Sequence, residues 1–93
     1  MTDRELLELA AKAAGVEGQY RAQYAGDKAY GGVWHSGVCW NPIDDDGDAL
    51  RLAVGLSLDL KVTEEEVDEV GDPYAATRRA IVRAAAEIGR GMK

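Results

Sequence analysis

Leu6, Leu7, Ala10, Ala13 and Ala14 recur at three- and four-residue intervals, with Arg4, Glu8 and Lys12 between them. That period predicts an amphipathic helix over residues 3–14. Thr2 and Glu5 form a capping box at its start, and Gly15 stands where a left-handed C-cap is needed. Residues 16–40 lose the helical period and hold most of the aromatic side chains. Positions 19–24 and 30–34 read as a hairpin with Gly26-Asp27 at its turn. His35-Ser36-Gly37 then either turns the chain again into Val38-Cys39-Trp40 or bulges one long strand. Asn41-Pro42 ends the strand, because proline has no N–H for a ladder.

The run Asp44-Asp45-Asp46-Gly47-Asp48 supplies N-cap oxygens and negative charge for a second helix, whose stripe is Ala49, Leu50, Ala53 and Val54. Leu56, Leu58, Leu60 and Val62 alternate with Ser57, Asp59, Lys61 and Thr63, which predicts a half-buried strand. Val67 and Val70 give residues 63–71 too narrow an apolar face for a helix, so a turn and a short acidic edge strand are expected there. Asp72 and Pro73 open the last helix as N-cap and first helical residue. Its apolar face is expected to be Tyr74, Thr77, Ile81, Ala84, Ala85 and Ile88, with fraying at Gly89 and Gly91. The order is α-β-β-α-β-β-α. It predicts one α+β domain over residues 1–93, a layered α/β/α sandwich of three helices and a small, largely antiparallel sheet.

Composition sharpens the expectation for the core. The 93 residues include fifteen alanines and no phenylalanine. A chain of this length buries only about 60–65% of its unfolded surface. Trp34, Trp40, Tyr20, Tyr24, Tyr30, Tyr74 and the Leu/Val set are therefore expected to supply the bulk. Seventeen acidic against eleven basic residues give a net charge of -6, which disfavours nucleic acid or an anionic membrane as partner. One cysteine excludes an intramolecular disulfide framework and a Cys-based zinc cage. With no apolar run of membrane-spanning length and no signal-peptide pattern at the start, a cytoplasmic protein in a bacterial host is the expectation.

Three stretches carry a resemblance: the Thr2–Gly15 helix; Trp40-Asn41-Pro42 leading into residues 45–54; and the run from Asp72-Pro73-Tyr74 to Ile88-Gly89. Together they resemble the phage ABA-sandwich domain family, small proteins of tailed phages and prophages. The likeness covers the three helices and the approach to the second. It implies a three-layer α/β/α fold and a phage context, and it implies no reaction and no catalytic residue.

The chemistry-bearing residues are sparse. Placing Gly47 as the invariant glycine of an EF-hand loop starts that loop at Pro42 and ends it at Ala53, neither of which can ligate calcium. His35 and Cys39 are the only imidazole and thiol, and on a continuous strand four positions separate them by about 13 Å. A turn at Ser36-Gly37 brings them nearer, though a buried cysteine beside a surface histidine is the commoner arrangement. Gly31, Gly32 and Gly37 lack the spacing of a phosphate loop and read as hairpin glycines. No cofactor or metal is expected.

Charge polarity stands out instead. Residues 74–93 hold five basic groups and one acid, whereas residues 44–72 hold eleven acids and two bases. This polarity is either a solvated surface with internal ion pairs, the commoner case, or a two-sided recognition surface, because opposite patches steer partners and fix orientation. The candidate binding residues are Asp44, Asp45, Asp46, Glu64, Glu65 and Glu66 on an acidic face and Arg78, Arg79 and Arg83 on a basic one. The expectation is a non-catalytic phage or prophage accessory protein that binds a host or phage protein. In its sharper form the acids imitate phosphates towards a nucleic-acid-handling or defence machine. A virion assembly component is the alternative, and a small enzyme using Cys39 a third.

Overall fold

The computed structural model describes residues 2–25, 28–35, 37–58 and 71–92. Helix α1 spans Asp3–Ala14. The Thr2 hydroxyl accepts from the Glu5 N–H at 3.2 Å, the N-cap half of the expected capping box, while the Glu5 carboxylate accepts at 3.2 Å from that hydroxyl and not from the Thr2 N–H. Gly15 ends the helix at φ 72°, with its N–H on the Lys12 carbonyl and the Val16 N–H on that of Ala11. This pair of bonds is a Schellman motif, which satisfies carbonyls that a bare helix end leaves unpaired.

Strands β1 (Gln19–Ala25), β2 (Lys28–His35) and β3 (Val38–Trp40) form one antiparallel sheet in the order β1-β2-β3. Ala25 lies opposite Lys28 at the end of the β1–β2 ladder, and the expected turn residues Gly26 and Asp27 lie outside the described residues. Of the two readings of His35-Ser36-Gly37, the turn is the one adopted, with Gly37 at φ 80°. Tyr20, Val33 and Trp40 share the face that meets the core.

Helix α2 spans Asp46–Gly55 and is capped by Asp45, whose carboxylate accepts from the Asp48 N–H at 2.8 Å. Its far end corrects the sequence reading. Leu56 and Ser57 do not begin a strand: the Ser57 N–H bonds the Val54 carbonyl, the Leu58 N–H bonds that of Ala53, and Ser57 takes φ 51°. Ala49, Leu52, Ala53 and Leu56 continue a helical period, and Leu58 folds back as the apolar partner of a second Schellman motif. The rest of the expected strand, and the acidic edge strand over positions 63–70, lie outside the described residues.

Helix α3 spans Pro73–Gly91, and the Asp72 carboxylate accepts from the Tyr74 N–H at 2.9 Å. Its buried face is Ala76, Ile81, Val82, Ala85, Ala86 and Gly89, rotated from the expected one. Tyr74 is 71% exposed, and Thr77 and Ile88 are exposed with it. Close contact between helices selects small side chains over large ones, which the apolar pattern alone does not rank. Gly89 does not fray the helix. A Cβ there would fall on the Leu9 backbone carbonyl, so the glycine lets α3 touch α1. On α2 the stripe is likewise shifted, to Ala49 and Leu52, leaving Leu50 and Val54 64% and 70% exposed.

The fold is α+β: three helices and a small three-stranded antiparallel sheet. Helix α1 joins its parts, packing along α3 on one side and touching β1 and β2 on another, while α2 packs on α3. The core is aliphatic, with Leu7, Val33, Val82 and Pro42 fully buried. Tyr20 and Trp40 pack against it only in part, so these two aromatics contribute less bulk than expected.

Candidate functional site

The loop entering α2 holds the first candidate surface, and Asn41 builds it. A residue before proline is pushed out of the α region, which leaves the Asn41 side chain free to fold over the turn that follows. Its Oδ1 accepts from the N–H groups of Ile43 at 3.0 Å and Asp44 at 3.2 Å, and its Nδ2 donates to the Gly31 carbonyl of β2 and to the Asp44 carboxylate. Its own N–H donates to Asp48 Oδ2 at 3.0 Å. From α3, Arg78 Nε reaches the Ile43 carbonyl at 2.7 Å. The loop is thus fixed to the sheet, to α2 and to α3.

That frame determines where the candidate charges lie. Asp44, Asp45 and Asp46 are exposed, each with one carboxylate oxygen in local use. Arg78 Nη1 meets Asp46 at 2.7 Å, and the Arg78 side chain is only 18% exposed. Arg79 forks onto Asp3 at 3.1 and 3.2 Å. The acidic and basic faces are therefore joined at Asp46–Arg78, and Arg79 is directed at α1. Arg83 is exposed on α3. Glu64, Glu65 and Glu66 lie outside the described residues. Asn41 was legible only as a strand stop, although Asn-Pro followed by Asp is itself the signal of a side-chain-built turn.

The backbone register pairs His35 with Val38 and Cys39 with Trp34, so Cys39 does not stand directly opposite His35. Cys39 is an exposed residue, not the buried one expected, with its sulfur lying over Gly32, where a Cβ would collide with it. Partial burial, then the carboxylates of Asp48 and Asp44, push its thiol above the ordinary range. That is the reverse of thiolate activation. Among the described residues no group of three or more His, Cys, Asp and Glu is placed to hold a metal ion.

The second candidate surface had no sequence signal. Between α1 and the start of β1 runs a groove of about 830 Å³. Ala11, Val16, Tyr20 and Val33 give it an apolar floor, and Arg4, Glu8, Lys12 and Glu17 a rim of both signs. Arg4 Nε donates to Glu8 at 2.7 Å, and its guanidinium sits 5.5 Å from the Tyr20 ring centroid. The hydrogen bond and charge of Glu8 raise the Arg4 pKa further above its already high range. Lys12 Nζ is turned to the Met92 carbonyl at 2.8 Å.

No protein-family model, curated protein or solved structure matches this chain. No helix among the described residues is long and apolar enough to cross a membrane. The geometry of the two surfaces is what bears on function.

Proposed function

We propose that this chain is a non-catalytic protein-binding module, a small accessory protein of a phage or prophage as the family resemblance implies. The groove beside α1 carries the reading: an apolar floor inside a charged rim is how protein interfaces are built. The exposed Asp44 and Asp45 on the Asn41-fixed loop add a preorganised negative surface, suited to a partner that handles nucleic acid or acts in host defence. The test is capture from a bacterial lysate at low and moderate salt, comparing the wild type with two variants. Val16→Lys sets a charge over the groove floor. Asp44→Asn with Asp45→Asn removes two charges, while asparagine keeps the α2 cap. Loss of a specific partner with the groove variant supports the module. Weakened, less salt-sensitive capture with the loop variant supports the acidic face. A partner indifferent to both variants sinks the reading.

A virion assembly role has one observation in its favour, the exposed Leu50 and Val54 one turn apart on α2. Sedimentation showing a monomer at high concentration, unchanged by Leu50→Ser, removes it. The Cys39 enzyme reading predicts fast alkylation near neutral pH. The structure predicts the opposite sign: the thiolate is disfavoured, so the alkylation midpoint lies above that of a free cysteine, and Asp48→Asn lowers it.

A further inference from the structure

We draw no further inference here: the strongest candidate, the groove between α1 and the start of β1, is an apolar floor within a rim on which Arg4 and Glu8 already pair with each other, and nothing in the structure shows what covers it.

Discussion

The α1–α3 seam and the sheet both depend on small residues, for different reasons. In the seam Ala10, Ala11, Ala85 and Ala86 are buried and Gly89 lies on the Leu9 carbonyl, so backbone meets backbone. In the sheet Gly31 makes room for the Tyr20 hydroxyl and Gly32 for the Cys39 sulfur, so backbone meets a side-chain tip. A backbone obstacle has nowhere to go, whereas a side chain can change rotamer or be shortened. Intolerance to substitution therefore follows from what stands opposite a glycine more than from how deeply it is buried.

The largest expected effect probes α1, the element both regions share. Leu7 is almost wholly buried, and Leu7→Ala should remove about 3 kcal/mol of stability through lost transfer energy and the cavity left behind. For a domain this small that lowers the Tm by about 12–24 °C. Thermal unfolding read by circular dichroism should remain one transition, because helix pair and sheet lose the same support. Two separated transitions would show that α1 does not couple them.

Next is the seam itself. Gly89→Ala places a methyl on the Leu9 carbonyl and should destabilise by about 2 kcal/mol, the ordinary scale of overpacking. The sign is informative, since glycine to alanine in an uncrowded helix interior gains up to about 1 kcal/mol. A denaturation midpoint that rises with Gly89→Ala would mean that α3 stands further from α1 than described.

The seam also marks the limit of what the sequence displays. Caps were legible because they depend on residues a few positions apart: Thr2 as N-cap, Gly15 as C-cap, and Asp72 before Pro73 all act as read. The pairing of the first two strands was legible for the same reason. The facing of α3 was not. Hydropathy favours Tyr74 and Ile88 as core, but a tight crossing takes Ala85, Ala86 and Gly89, and only the partner helix decides that. Leu56 and Leu58 alternate like a strand while sitting on the end of a helix, because two apolar residues two apart satisfy both readings. The groove was illegible altogether, since its walls are ordinary positions of α1 and the start of β1, closed by Val33 of β2, and no local pattern sets the angle between them. Asn41 lay between these cases, with a local signal but a bond to β2 that no local pattern specifies.

The sheet should yield more gently than the seam, and rescue is what separates them. Gly31→Ala meets the Tyr20 hydroxyl and should lower stability by about 1 kcal/mol. Tyr20→Phe removes the nearest atom but leaves the ring Cζ 2.7 Å from the added methyl, so the double variant should recover only part of that loss in a double-mutant cycle. Additive losses would place the obstruction elsewhere, in the backbone of β1. No shortening of Leu9 is expected to rescue Gly89→Ala, because its side chain is not what stands in the way.

The smallest effect compares the ends of α1 and α2, which close by the same Schellman motif with different residues. Gly15 takes φ 72° with nothing near its missing side chain, and Ser57 takes φ 51° as the non-glycine residue at positive φ among those described. The left-handed conformation disfavours a residue bearing a Cβ by about 1 kcal/mol. Gly15→Ala should therefore lose about 1 kcal/mol without any clash. Ser57→Gly should gain somewhat less than that, because a glycine gives the unfolded chain more freedom to lose. Equilibrium urea unfolding resolves the pair: opposite signs at the two helix ends mean that strain at the cap dominates. A loss from Ser57→Gly would mean instead that the hydroxyl does something for α2 that the backbone geometry does not require.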